Sequence, residues 1–174
     1  MTDLRIRRAT ADDAAALAAL AERTFRDTFA AVNTPEDMAA HAAASYGADK
    51  QRTEIESERI RTLLVESDGS LAGYAQLRIG PAPECVKADR AVELWRFYID
   101  RDWIGRGLAP RLMDAVHAEA VALYANALWL GVWERNPRAI AFYRKYGFVE
   151  VGAHVFQLGH DAQTDLIMQR ELAS

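Results

Sequence analysis

The segment Ile104-Gly105-Arg106-Gly107-Leu108-Ala109-Pro110 sets two glycines between an apolar run, Val92 to Ile99, and an amphipathic stretch that begins near Leu108. A glycine turn opening a helix leaves backbone N–H groups without helical partners and aims them at whatever lies above the axis, which suits a phosphate. The dinucleotide fingerprint fails here, because the position that should be Gly or Ala is Pro110, which has no N–H. The acidic ribose ligand expected about twenty residues on is also missing, where Tyr124, Ala125 and Asn126 stand instead. No Gly-Lys-Ser/Thr follows, which removes the Walker pattern. A glycine pair alone would equally serve a tight connection that needs positive φ.

A second segment, Asn136-Pro137-Arg138-Ala139-Ile140-Ala141-Phe142-Tyr143-Arg144-Lys145-Tyr146-Gly147-Phe148, reads as a short helix with both ends marked. Asn136 is a good N-cap, Pro137 suits the first helical position, and Gly147 can close the helix in a left-handed conformation. The spacing from Asn136 to Tyr143, nearly two turns, puts both on one side with Ile140, so Tyr143 can reach a ligand lying along that side. Phe142 and Phe148 read as core aromatics.

Together the two segments resemble the GCN5-related N-acetyltransferase (GNAT) superfamily over nearly the whole chain. In that family Q/R-x-x-G-x-G/A binds the pyrophosphate of acetyl-CoA, and it falls here on Ile104, Gly107 and Ala109, with Ile104 departing from the pattern. The family's N-x-x-A-x-x-[FY]-Y-x-x-x-G-F signature matches Asn136, Ala139, Phe142, Tyr143, Gly147 and Phe148. The resemblance implies that the pantetheine arm of acetyl-CoA pairs with the backbone near Phe97, Tyr98 and Ile99 as an added strand would. It also implies that the pyrophosphate meets Gly105, Arg106, Gly107, Leu108 and Ala109, with Pro110 costing little because first-turn donors have no helical partner. Arg106 and Arg111 add charge there, or serve only solubility.

The implied chemistry is attack of a neutral amine on a thioester. A leaving thiol resembles cysteine at ~8.5, so a phenol near ~10 beside the sulfur can return a proton to it. The family places its general acid at the position of Tyr143. Deprotonating an alkylammonium near ~10.4 with a carboxylate near ~4.3 needs shifted values or a water relay. Glu93 occupies the strand position where relatives carry an acidic residue that holds such a water or the amine; the alternative is a strand glutamate facing solvent. Glu134 is a second candidate.

The chain also looks like the PaiA-type polyamine N-acetyltransferases, through Thr28-Phe29 with Asn33-Thr34-Pro35-Glu36-Asp37-Met38, through Trp129 to Glu134, and through Gly152-Ala153-His154 with Gln163 to Met168. That resemblance implies spermidine or spermine as the acceptor, with Phe29, Glu93, Trp133, Glu134 and His154 lining its pocket. The other readings are a protein, peptide or different small amine as acceptor, and a non-catalytic acetyl-CoA-binding regulatory module. Homodimers are common among relatives, although no seam is legible here.

The background agrees. The chain has 174 residues, 51% of them hydrophobic, and no Pro, Gly or Ser tract marks a linker, so a single domain spanning 1–174 is expected. A net charge of −4 argues against nucleic acid. One cysteine, Cys85, excludes an intrachain disulfide; Met1-Thr2-Asp3-Leu4-Arg5 does not read as a leader, and no apolar run suits a bilayer, which together read as cytoplasmic. His154, His160 and Asp161 lack metal-ligand spacing and read as a bend between closing strands, so no metal is expected.

The elements that must position these residues follow from periodicity. A short strand at Leu4 and Ile6 precedes a helix capped by Thr10 and Asp13, and a second helix starts at Thr34-Pro35. Leu63 to Glu66 and Leu71 to Ile79 form a hairpin around Asp68-Gly69, followed by a loop from Pro81 to Arg90. Val92 to Ile99, a helix from Leu108, Ala127 to Trp133, the capped helix, Phe148 to Gly152 and Asp165 to Glu171 complete the order β-αα-βββ-α-β-α-ββ. Trp129 and Trp133 share one side of their strand and pack as core. The expected architecture is the GNAT fold, α/β (α+β): a mixed central sheet of six to seven strands, its central strands splayed, with helices on both faces.

Overall fold

A computed structural model describes residues 3–173; Met1 and Thr2, on which part of the leader reading falls, and Ser174 lie outside the described residues. The elements run β1 (Leu4–Arg8), α1 (Ala14–Phe29), α2 (Pro35–Ser45), α3 (Ala48–Glu56), β2 (Ile60–Ser67), β3 (Ser70–Arg78), β4 (Ala91–Ile99), α4 (Leu108–Ala122), β5 (Ala127–Trp133), α5 (Pro137–Lys145), β6 (Val149–Leu158) and β7 (Asp161–Glu171). The sheet order is β1-β2-β3-β4-β5-β7-β6, with every neighbour antiparallel except β4 and β5. Among the described residues no helix is long and apolar enough to cross a membrane.

Three helices, not two, separate β1 from β2. The third, α3, has no apolar stripe to reveal it, because the residues it buries are Gln51 and Glu54. They meet Thr62 of β2, Gln76 of β3 and Arg96 of β4 in a buried polar cluster: Gln76 Nε2 reaches Glu54 and Thr62 at 3.3 Å, and Arg96 Nη1 donates to Glu54 Oε2 and Gln76 Oε1 at 2.7 Å each. A second difference lies in the last hairpin. Residues 153–158, read from sequence as part of a bend, continue β6 and pair with β7 as far as Leu158 and Asp161.

Both faces of the sheet are covered. Leu63, Val65, Ala75 and Leu77 pack under Leu112, Met113 and Val116 of α4 and Ile140 of α5. Leu64 and Tyr74 pack under Leu17, Leu20 and Phe25 of α1 and Met38 of α2. β3 is therefore buried on both sides, which is why polar Gln76 must find partners inside.

Two local features open the middle of the sheet. β4 and β5 pair only through Ala91–Glu93 and Ala127–Trp129. On the other side of β4 the register shifts after Leu77↔Leu94 to Gln76↔Arg96, so Trp95 is an extra residue. A bulge bends the strand that carries it, and this one falls where β4 leaves β5.

Candidate active site

The gap left by β4 and β5 opens into a cavity of about 980 Å³ that runs from the first turn of α4, past α5, to the side of the sheet covered by α1 and α2. At one end stand Gly105 and Gly107, with φ of +80° and +79°, and Gly107 caps α4 in the left-handed conformation. The N–H groups of Gly105, Gly107, Leu108 and Ala109 have no partner among the described residues. Arg106 behaves differently from expectation. Its N–H donates to the Trp103 carbonyl at 3.3 Å, its guanidinium sits 5.2 Å from the Trp103 ring centre, and it is absent from the cavity wall, as is Arg111.

Ile104 lines the mouth and is 42% exposed. The cations that line the cavity near this end are Arg101, just after β4, and Arg135, Arg138 and Lys145 around α5, with Arg78 and Arg96 lining it further along β3 and β4; the motif spacing singled out none of them. Arg138 stands two residues after Asn136 inside the capped-helix motif, the only sequence signal that could have found it.

The capped helix forms as its termini dictate: Asn136 Oδ1 accepts from the Ala139 N–H at 3.2 Å, and Gly147 takes φ +85°. Asn136, Ala139 and Tyr143 all line the cavity. Tyr143 is buried in an aromatic nest of Phe97, Phe142 and Phe148. Burial alone pushes its phenol well above the ordinary range, so it holds its proton throughout neutral pH. The wall facing it is β4 itself, with Phe97, Tyr98 and Ile99.

Beyond Tyr143 the cavity is walled by aromatic rings. Phe29 is buried and tilts against Trp133 at 5.4 Å, so the latter packs as expected while also lining the cavity. His154 lines it too, while Glu134 is exposed and lies outside it. Glu93 lines the cavity, yet its carboxylate is taken: Arg78 Nε donates to Glu93 Oε2 at 2.7 Å, and Arg78 Nη2 is equally close to that oxygen. The alternative of a glutamate facing solvent also fails, since its side chain is only 13% exposed. The ring of bulged Trp95 has two guanidiniums over it, Arg78 at 4.0 Å and Arg96 at 3.7 Å from the ring centre.

The far wall is tied in place. Asn33 Oδ1, after α1, accepts from Gln163 Nε2 at 2.7 Å, and Asp37 Oδ1 accepts from the His160 N–H at 2.8 Å. These contacts clamp the β6–β7 hairpin to the α1–α2 connection and the first turn of α2. One residue of that hairpin, Asp165, lines the cavity without having been singled out from sequence.

The sequence profile of the Acetyltransferase (GNAT) family matches residues 15–148. The chain belongs to this family, and it is an acetyl-CoA-dependent acyltransferase. It is 33% identical, over 99% of both chains, to a protein of Lactobacillus delbrueckii subsp. lactis named as an uncharacterized N-acetyltransferase. A shorter match, 30% identical over 82 residues, covers 47% of this chain and 54% of a spermine/spermidine N(1)-acetyltransferase of Bacillus subtilis. The fold is shared with a PaiA N-acetyltransferase from Thermoplasma acidophilum solved in complex with coenzyme A, at a TM-score of 0.80 and 20% identity, covering 98% of this chain and 99% of that one.

Proposed function

We propose that this protein transfers acetyl from acetyl-CoA to a primary amine of a small molecule, by direct attack with both substrates bound, and that spermidine and spermine are the acceptors to test first. The observation that carries the reading is the parting of β4 and β5 beneath unpartnered amides, with the Tyr143 phenol inside the same cavity. Acetyl-CoA fits these residues: Gly105, Gly107, Leu108 and Ala109 offer N–H groups to a pyrophosphate, and Arg101 and Arg138 supply the cations that Ile104 does not. Phe97, Tyr98 and Ile99 offer a strand edge to the pantetheine amides. The thioester supplies an activated acetyl group; Tyr143, protonated in the resting enzyme, gives a proton to the departing sulfur.

The polyamine reading is supported by the partial match to the Bacillus enzyme and by the aromatic walls, which suit a flexible cation. A second reading is an amine with one ammonium on an apolar body, favoured because Arg78 already neutralises Glu93. Thiol release from acetyl-CoA across polyamines, monoamines, aminoglycosides, amino acids and peptides decides between them. Turnover with spermidine and little with n-butylamine supports the first, the reverse supports the second, and release with peptides alone overturns both.

A further inference from the structure

We propose that Asp165, rather than Glu93, is the carboxylate that receives the acceptor amine's proton. The proposal rests on the acetyl-transfer reading above. Asp165 sits in β7 directly opposite Trp133 of β5 on one side and His154 of β6 on the other. Residues opposite one another in an antiparallel ladder project from the same face, so all three side chains point to the cavity that each of them lines.

Room for the carboxylate comes from Gly131. A Cβ there would lie 3.2 Å from Asp165 Oδ2 and 3.1 Å from His154 Cε1, so a side chain at this position would press on both. No hydrogen bond or ion pair engages Asp165 among the described residues, whereas the Glu93 carboxylate has two nitrogens of Arg78 on one oxygen. A carboxylate oxygen already occupied by a guanidinium is not free to meet an amine. Burial pushes the Asp165 carboxyl up to about 6, and His154 opposes that shift. The group is thus ionised at neutral pH yet closer to an ammonium than an ordinary aspartate, which narrows the mismatch that makes direct transfer inefficient. His154 on β6 and Tyr98 on β4 are the titratable groups that act with it; burial and surrounding charge keep Tyr98 protonated. Asp27 of α1 and His41 of α2 line the same cavity.

The protons balance as follows. Asp165 takes one proton from the ammonium and later releases it to water. The nitrogen lone pair forms the C–N bond as the C–S bond breaks, and Tyr143 protonates the sulfur. The second nitrogen proton restores the Tyr143 phenol, leaving amide, thiol and one proton in solution.

Two measurements test this. In pH profiles of kcat/KM, Asp165→Asn is expected to lower the value at pH 7 by about 10²–10⁴-fold and to remove an acid limb near the Asp165 value. Asp165→Glu should restore part of the rate, and coenzyme A affinity by calorimetry should stay within about two-fold. An acid limb that survives in Asp165→Asn, or vanishes in Glu93→Gln, overturns the proposal. Carboxyl-carbon NMR of the unliganded wild-type protein reads Asp165 without any turnover: a midpoint near 6 that falls when spermidine or n-butylamine is added supports it. A midpoint near that of an ordinary aspartate overturns it, even if the enzyme is active. If wild type acetylates no amine while the NMR result holds, the acetyl-transfer reading has failed and the amine contact has not.

Discussion

Arg78 and Glu93 face each other across the β3–β4 ladder, and the guanidinium places both Nε and Nη2 at 2.7 Å from one carboxylate oxygen. The pair turns the strand acid expected to handle the amine into part of the wall. Glu93→Gln should therefore lower kcat/KM by less than about ten-fold, far below the loss expected when a general base is removed. Because Arg78 is partly exposed, stability should move by no more than about 1 kcal/mol. Steady-state kinetics beside a thermal melt check both.

Tyr143→Phe should lower kcat by about 10²–10⁴-fold while coenzyme A affinity changes little. The ring keeps its packing against Phe97, Phe142 and Phe148, and only the hydroxyl is lost. Titration calorimetry with coenzyme A separates binding from turnover. An unchanged rate would remove the phenol from the chemistry.

Glu54 and Arg96 form a buried pair whose side chains are 7% and 8% exposed. Glu54→Ala leaves the guanidinium uncompensated and should cost about 3–5 kcal/mol in urea unfolding. Replacing both, as Glu54→Leu with Arg96→Met, should recover much of that loss, since two apolar side chains leave no orphaned charge.

Two carboxylates should move stability with pH in opposite directions. Arg7, through its hydrogen bond, holds Asp13 down to about 2, so the stability it contributes is present above the ordinary aspartate range and lost as pH falls towards 2. Asp165 is pushed up to about 6, so its ionisation costs nothing below the ordinary range and the full amount above 6. Asp165→Asn should accordingly melt higher than wild type at about pH 7.5, above the Asp165 value, and close to it at about pH 3.5, below the ordinary aspartate value. Asp13→Asn should melt lower at neutral pH, and the gap should close in acid.

Gly107→Ala tests the turn that opens α4. No heavy atom lies within 4 Å of the added Cβ, so the penalty is conformational alone, about 1–2 kcal/mol for φ of +79°. Any part of that penalty the empty variant escapes by leaving the left-handed conformation must be met on binding, lowering coenzyme A affinity by about ten-fold for each 1.4 kcal/mol. Calorimetry and urea unfolding on the same variant compare the two.

What the chain announced in advance was what short-range chemistry controls. Asn136, Pro137 and Gly147 mark the ends of α5 by their own backbone preferences, and the glycines at 105 and 107 take the positive φ that only such residues adopt cheaply. α3 stayed hidden because periodicity detects apolar stripes, and this helix buries Gln51 and Glu54 towards partners on β3 and β4. The neutralised state of Glu93 depends on a register that a bulge at Trp95 resets, and no local pattern encodes it. Asp165 stood inside a stretch quoted only for resemblance; its importance comes from lying beside Gly131, a neighbour distant in sequence and adjacent only through the β5–β7 ladder.

The early parting of β4 from β5 has a cost that the protein carries whenever it is empty. From Leu94 onward the inner rims of two half-sheets run without each other's amides and carbonyls, and water must satisfy them. A guest that lies along those rims replaces this hydration and acts as a missing rung, knitting the two leaves into one continuous ladder. Binding should therefore slow amide exchange along Arg96 to Ile99 and stiffen the halves against one another, so that the molecule is most coherent at the moment it is loaded.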